Sequence, residues 1–93
     1  MGWYVYLIRC ADDTLYCGIT NDLSARLSAH VAGTGAKYTR GRGPLELVAS
    51  RRCREKGLAL KIEYQIKQLT RLQKDALIAE PSRIESIVRY CRR

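Results

Sequence analysis

The stretch LYCGITNDLSARLSAH, residues 15–30, contains three side chains that could act together on a charged substrate. Tyr16 carries a phenol, Arg26 a guanidinium that can hold an anionic oxygen, and His30 an imidazole that can take up a proton near neutral pH. Arg26 and His30 are four residues apart, so a helix would project both from one side. Each also has a structural explanation, because helix arginines commonly lie along the surface and a lone histidine often packs at a helix end or a core edge.

Glu63, within the segment ALKIEYQIKQLT, could hold a metal ion. On a helix, Glu63 lies about 100° from the centre of the apolar stripe, where a side chain can reach a cleft. A carboxylate suits a hard cation such as Mg²⁺ or Mn²⁺, which keeps several water ligands. Alternatively, Glu63 forms a surface ion pair with Lys67 that contributes only about 0.3–0.5 kcal/mol. His30 is the one histidine of the sequence, so histidine-rich metal ligation is excluded.

Two short strands should place a second tyrosine beside Tyr16. The residues of Trp3–Cys10 are almost all apolar, aromatic or β-branched, and Thr14–Ile19 forms a second such run. With a three-residue loop between them, Tyr6 faces Gly18, and Tyr6 and Tyr16 share one face of the hairpin. A two- or four-residue loop would separate the two tyrosines.

A helix should follow directly and position Arg26 and His30. Asn21 or Asp22 can cap its start, and Gly33 is available beyond its end. The apolar residues recur every four positions and predict a buried stripe of Leu23, Leu27 and Val31. Arg26 and His30 fall together beside this stripe, so we expect both to project from one edge of the helix toward the sheet.

The remaining chain predicts a loop, one strand and further helices. Residues 33–44, GTGAKYTRGRGP, form a basic loop, and Leu45–Arg51 a third strand. A long helix from about Glu55 to Leu69 should bury Leu58, Ile62, Ile66 and Leu69. Gln73–Ala79 predicts a shorter helix, and Pro81 opens a last one whose inward residues are Ile84, Ile87, Val88 and Cys91.

These elements predict an α+β fold, an α/β sandwich in a single domain over residues 1–93. A small three-stranded antiparallel sheet is flanked by helices, in the order ββαβ followed by two or three C-terminal helices. No stretch of 18 apolar residues and no signal-peptide pattern occurs, so we expect a cytoplasmic protein with no membrane contact. The four cysteines form no C-x-x-C pair, and Cys10, Cys17 and Cys91 should be small buried hydrophobic residues with reduced thiols.

The charge of the chain points to a polyanionic partner. The formal net charge is +8, and residues 1–30 contain only two of the 17 basic and three of the nine acidic residues. Residues 31–93 therefore hold 15 basic and six acidic residues, a surplus of +9. Nucleic acid is a commoner partner for such a chain than an acidic protein or a membrane surface, although charge alone specifies no reaction.

Five separated elements of the sequence together resemble the GIY-YIG nucleases: YVY at residues 4–6, YCG at residues 16–18, Arg26, His30 and Glu63. The resemblance extends through GAKYTRGRGPLELV and ALKIEYQIKQLT and thus covers residues 3–70. It is greatest to small stand-alone bacterial members and to the nuclease domain of structure-specific junction resolvases. Tyr4 stands where glycine is usual and Cys17 replaces the middle isoleucine, but Tyr6, Tyr16 and Gly18 are intact.

The resemblance implies a metal-dependent DNA endonuclease, structure-selective for branches, flaps or single strands, that acts in DNA repair or recombination. Glu63 would hold one Mg²⁺ or Mn²⁺, and Arg26 would stabilise the transition state. Tyr16 would activate the water, Tyr6 would position the water or phosphate, and His30 would handle protons. The resemblance favours DNA over RNA, and a monomer is the default expectation.

Seven basic residues are predicted to contact nucleic-acid phosphates rather than bases. Three lie in the basic loop and four lie at the end of the third strand or just beyond it: Lys37, Arg40, Arg42, Arg51, Arg52, Arg54 and Lys56. A solvated basic loop is the simpler explanation of the first three. Two other functions stay open: a catalytically weak or inactive nucleic-acid-binding module of the same fold, and a basic adaptor for another protein.

Overall fold

The computed structural model describes residues 2–33 and 43–92. Within them, the elements in chain order are β1 (Trp3–Arg9), β2 (Leu15–Thr20), α1 (Leu23–Val31), β3 (Glu46–Cys53), α2 (Lys56–Gln68), α3 (Arg71–Ala79) and α4 (Ile84–Cys91). The strands form one antiparallel sheet in the order β2-β1-β3. The predicted α+β fold, ββαβ followed by helices, is confirmed.

The β1–β2 hairpin has the predicted register. Tyr6 pairs with Gly18, and the backbone N–H of Cys10 donates to the carbonyl of Thr14 at 2.9 Å. The loop between them has three residues, and its last residue, Asp13, has a φ of 67°. A left-handed residue at this position is what lets a three-residue loop return the chain into the second strand. The loop length therefore puts Tyr6 and Tyr16 on one face, as predicted.

The central strand β1 is covered on both faces. Its Val5 and Leu7 belong to the apolar core together with Ile62 and Ile66 of α2. Because successive side chains of a strand alternate, Tyr6 points to the opposite face, where it meets α1. The strand β2 is at the edge of the sheet. The sheet thus separates an apolar layer under α2 from a polar layer under α1.

The helices α2 and α4 supply most of the remaining core. The buried residues are Ala59, Ile62, Ile66, Ile84, Val88 and Cys91, while the predicted Leu58, Leu69 and Ile87 are only partly buried. Pro81 begins a short 3₁₀ turn, Pro81–Arg83, that leads directly into α4. All four cysteines are free and buried, including Cys53, which the sequence pattern had not assigned to the core.

The predicted buried stripe of α1 is wrong at its last position. Val31 is 74% exposed, whereas His30 is 2% exposed. Asp22 caps the helix by accepting from the N–H of Ala25 at 3.1 Å, and Gly33 adopts a φ of +80° beyond its end, both as expected. The helix turns His30 inward because the imidazole finds a hydrogen-bond partner on β1. Val31 lies one residue, about 100°, farther round and therefore faces solvent.

None of the helices in the described residues is long and apolar enough to cross a membrane. The predicted basic loop, with Lys37, Arg40 and Arg42, lies largely outside the described residues.

Candidate active site

Tyr6, Arg26 and His30 meet on the α1 face of the sheet. The Tyr6 hydroxyl is 3.0 Å from Nε2 of His30, and both residues are buried. Nε of Arg26 donates to the same hydroxyl at 3.4 Å. The predicted projection of Arg26 and His30 from one edge of α1 toward the sheet is therefore confirmed, and the point on which they converge is Tyr6.

The environment assigns the protons of this cluster. Burial, and then the positive charge of Arg26, lowers the pKa of His30, which favours a neutral imidazole. Burial raises the pKa of Tyr6 despite the hydrogen bond from Arg26, so its phenol keeps its proton. The contact between the Tyr6 hydroxyl and Nε2 of His30 is therefore a hydrogen bond between two neutral groups. A phenol in this state is a poor general base.

Tyr16 is the tyrosine that solvent can reach. Its ring centroid is 6.3 Å from that of Tyr6 and 5.4 Å from that of His30. Tyr16 is only partly buried, whereas Tyr6 is closed off. A hydrogen bond to Tyr6, with a smaller contribution from Tyr16, raises the pKa of Arg26. The guanidinium of Arg26 thus faces both phenols.

Gly18, the glycine of the YCG motif, is part of this site, although the sequence pattern predicted no role for it. A Cβ atom at Gly18 would lie 2.6 Å from the Tyr6 hydroxyl oxygen, 2.8 Å from Tyr6 Cζ and 3.0 Å from Tyr16 Cε2. Only glycine leaves room for the Tyr6 phenol to lie across β2 and reach His30. The hairpin register, which pairs Tyr6 with Gly18, was the sequence signal for this contact.

Glu63 lies on the other side of the edge strand. Its side chain is 18% exposed, and its carboxylate is 3.5 Å from Nζ of Lys67, so the i,i+4 ion pair is present. Burial, and then the charge of Glu63, raises the pKa of the Cys17 thiol to about 12. Cys17 follows Tyr16 on β2 and points to the α2 face. Glu63 and the tyrosine cluster therefore flank the same edge strand from opposite faces.

The donor set fits a hard cation better than a zinc ion. In the described part of the chain, no group of three or more His, Cys, Asp or Glu side chains is placed to hold a metal. Zinc sites need three or four protein ligands, whereas Mg²⁺ is often held by one or two carboxylates together with waters and substrate phosphate. A partly exposed Glu63 at the sheet edge is compatible with the second arrangement.

The predicted phosphate contacts at the end of β3 and just beyond it are not all free of other protein contacts. Arg51 forms a two-point ion pair with Glu85 of α4, with distances of 2.6 and 3.1 Å. This pairing raises the pKa of Arg51 and lowers that of Glu85. Nζ of Lys56 lies 5.0 Å from the ring centroid of Trp3, a cation–π contact. Arg51 shares the face of β3 that packs under α4, away from the tyrosine cluster.

Arg52 and Arg54 are exposed and line an open groove of about 680 Å³. The groove also includes residues of α2 and the last residues of the described chain, Cys91 and Arg92. The other three predicted phosphate contacts, Lys37, Arg40 and Arg42, lie outside the described residues.

Residues 2–75 match the family model described as the GIY-YIG catalytic domain. A UPF0213 protein of Vibrio cholerae serotype O1 is 54% identical over 86 residues, which cover 91% of this chain and 85% of that protein. The UPF0213 protein YhbQ of Salmonella typhimurium is 48% identical, covering 92% and 86%. The solution NMR structure of a UPF0213 protein from Bacillus halodurans superposes with a TM-score of 0.57 at 44% identity, covering 85% of this chain and 84% of that one.

Proposed function

Because the chain belongs to the GIY-YIG catalytic-domain family, we propose that it is an endonuclease that hydrolyses phosphodiester bonds with one divalent cation, Mg²⁺ or Mn²⁺. The observation that carries this proposal is the convergence of Arg26, His30 and two phenols of the hairpin on one point. A fold alone would not specify a reaction, but a buried, hydrogen-bonded cluster beside a partly exposed phenol suits chemistry at a phosphate.

Tyr16 is the group that activates the attacking water. It can be reached from solvent, whereas the buried Tyr6 holds its proton. A phenol has an ordinary pKa near 10 and is a poor base at neutral pH unless a positive charge stabilises its anion. Arg26 supplies that charge, since its guanidinium interacts with both phenols. The same guanidinium can then hold the phosphate as negative charge builds up in the transition state.

Tyr6 and His30 position the other groups. The Tyr6 hydroxyl accepts from Arg26 and is hydrogen-bonded to Nε2 of His30, so it holds the guanidinium in place, and the Tyr6 ring lies 6.3 Å from that of Tyr16. His30 is 2% exposed and makes this contact without open access to a substrate. Among the site residues, we therefore assign His30 a positioning role, as the fixed hydrogen-bond partner of Tyr6.

Glu63 is the proposed metal ligand. A divalent cation held by Glu63 would supply positive charge to the phosphate and the leaving oxygen. The protein contributes one carboxylate, that of Glu63 on α2. It lies beside β2, the strand that carries Tyr16. Lys67 balances the charge of Glu63 at 3.5 Å and can move away because its own side chain is half exposed.

Nucleic acid is the proposed substrate, and DNA rather than RNA. The net charge of +8 supports a polyanion, and phosphate contacts from arginine and lysine position a duplex without reading its sequence. We propose that the enzyme selects branched, flapped or single-stranded DNA, as in repair or recombination. Lys37, Arg40, Arg42, Arg52, Arg54 and Lys56 remain the proposed phosphate contacts, and Arg51 takes part only if Glu85 releases it.

The proposal is tested by cleavage of a supercoiled plasmid and of labelled hairpins, flaps, junctions, single strands and duplexes. Each is incubated with Mg²⁺, Mn²⁺ or EDTA. We expect cleavage with metal only, and faster cleavage of branched or single-stranded forms. Binding without cleavage in any metal would instead identify a catalytically inactive nucleic-acid-binding module. Equal rates on every substrate would overturn structure selectivity and leave the nuclease activity standing.

A further inference from the structure

An open groove with two exposed tyrosines lies between α2 and α4. It has a volume of about 520 Å³ and is lined by Leu60, Lys61, Tyr64, Gln65, Tyr90 and Cys91. Tyr64 is 61% exposed and Tyr90 59%. The proposed reaction uses neither residue. These rings present flat apolar faces to solvent from two different helices.

Cations border these rings. The groove shares Lys61 and Cys91 with the larger groove that follows β3. The two grooves together form one combined surface. Among the described residues, four cations line it without forming an ion pair to a carboxylate: Arg52, Arg54, Lys61 and Arg92. Glu55 is the acidic residue on the same lining, so the combined surface has a formal charge of about +3 once Arg51 is balanced by Glu85.

We propose that this combined surface binds single-stranded nucleic acid, with bases stacked on Tyr64 and Tyr90 and phosphates held by Arg54, Lys61 and Arg92. Aromatic rings set among cations suit a single strand, because every base has a flat face and the backbone carries regular negative charge. In a duplex the bases are already stacked on each other and cannot lie on the tyrosines. A second copy of the chain would bring two such positive surfaces together against their mutual repulsion.

The combined surface lies near the proposed cleavage site at Glu63. This part of the inference rests on the proposed function. Tyr64 follows Glu63 directly in α2, so its side chain projects about 100° round the helix from the carboxylate. A helix with its side chains is about 10–12 Å across, a distance that about two nucleotides of an extended strand can span. The surface would thus hold the unpaired flank of a branched or flapped substrate beside the scissile phosphate.

Binding of fluorescein-labelled oligothymidylate, measured by anisotropy in EDTA, tests the surface without cleavage. The double variant Tyr64→Ala/Tyr90→Ala should bind at least about tenfold more weakly, because each stacked base contributes substantially to affinity. Tyr64→Phe/Tyr90→Phe keeps the rings and should bind like the wild type. Lys61→Gln/Arg92→Gln should flatten the salt dependence by about 1.4 in log–log slope, roughly 0.7 for each lost phosphate contact.

Matched controls separate this surface from general effects. Leu72→Ala removes an exposed apolar side chain of α3 and should leave binding unchanged. Duplex of the same length should lose little affinity in the double alanine variant. Unchanged oligothymidylate binding by a folded double alanine variant, or an equal loss for duplex, would overturn the proposal. So would a concentration-dependent dimer, measured by sedimentation, that the double alanine variant abolishes.

Failure of this inference and failure of the nuclease proposal give different results. Glu63→Gln should bind oligothymidylate normally in EDTA, because the carboxylate is not part of the stacking surface. A protein that binds through the two tyrosines but cleaves nothing would contradict only the nuclease proposal. An active nuclease whose alanine variants bind oligothymidylate normally would contradict only the single-strand surface.

Discussion

The Tyr6 hydroxyl is hydrogen-bonded to Nε2 of His30 at 3.0 Å, and the two residues are 24 positions apart in the chain. The contact joins the central strand to α1 inside the protein, where neither polar group can find water. A buried polar group without a partner costs roughly 1–3 kcal/mol, so each residue holds the other in place. Arg26 adds a second hydrogen bond to the same hydroxyl and is thereby aimed at Tyr16.

The stability of the protein should fall in mildly acidic solution because of His30. Its pKa is lowered from 6.5 in the folded state, so the unfolded chain binds more protons below that value. The neutral imidazole makes its full contribution to the free energy of unfolding above about pH 6.5. This contribution is lost as the pH falls through the lowered pKa. His30 is the one histidine, so urea unfolding at pH values on either side of about 6.5 reports on it directly. His30→Gln should show a smaller difference in unfolding free energy between the two pH values than the wild type. An equal difference in the two proteins would assign the effect to carboxylates.

Gly18→Ala should destabilise the protein by roughly 1–3 kcal/mol, because the new methyl group would press into the Tyr6 phenol at 2.6 Å. Tyr6 is held by His30 and cannot move aside without losing that hydrogen bond. Gly57→Ala is the matched control, since a Cβ there meets no atom within 4 Å and the position is helical. It should be neutral or stabilising by up to about 1 kcal/mol. Urea unfolding compares the Gly18→Ala and Gly57→Ala variants. Equal unfolding midpoints in the two variants would disprove the packing role of Gly18.

Tyr16→Phe should lose most of the cleavage rate while the protein stays folded, because only the hydroxyl is removed. The wild-type rate should climb with pH toward a plateau as the activating group loses its proton. Tyr6→Phe should reduce the rate less and keep that pH profile, since positioning requires no ionisation. Single-turnover rates from about pH 6 to pH 10 decide between them. Near wild-type cleavage by Tyr16→Phe, or loss of the pH dependence in Tyr6→Phe, would show that the roles assigned to the two tyrosines are wrong.

Glu63→Gln should abolish cleavage and leave folding nearly unchanged, because it removes a negative ligand without altering size. The matched control is Lys67→Gln, which removes the partner of the ion pair and keeps the carboxylate. The ion pair itself is a surface contact of small energy. Cleavage of a labelled flap is measured across a Mg²⁺ titration. If Glu63→Gln retains more than about a tenth of the wild-type rate, a barrier change below ~1.4 kcal/mol, Glu63 is not the essential ligand.

Arg26→Ala should lower the cleavage rate by roughly 10²-fold or more if the guanidinium stabilises the transition state. Arg26→Lys keeps the charge but loses the planar fork that can face both phenols, so it should recover only part of the rate. Circular dichroism checks that both variants fold. Unchanged turnover in a folded Arg26→Ala protein would leave the residue a surface arginine packed along α1.

Much of the fold followed from local rules that act over a few residues. The three-residue loop determined the hairpin register, because a slip by one position would turn every side chain to the other face. That register brought Tyr6 and Tyr16 together and placed Gly18 opposite Tyr6. The cap at Asp22 and the left-handed Gly33 likewise depend on neighbouring residues alone.

Which side of α1 is buried was decided by the tertiary structure. Periodicity locates the apolar side of a helix from spacing, but the buried side also depends on which polar groups find partners. Tyr6 supplied that partner for His30, and Val31 was left exposed. Arg51 was read as a phosphate contact because its charge was visible in the sequence, whereas Glu85, 34 positions later, was brought to it only by the packing of α4.

The sequence by itself determined the order of the elements, the hairpin that pairs the two tyrosines, and the set of residue types able to act on a phosphate. Only the tertiary structure decided which tyrosine is buried, which arginine is paired, and that Tyr64 and Tyr90 border one groove. The physical reason is distance along the chain. Register, caps and turns are set by neighbours, while burial, pKa shifts and long-range ion pairs arise where residues tens of positions apart are packed together.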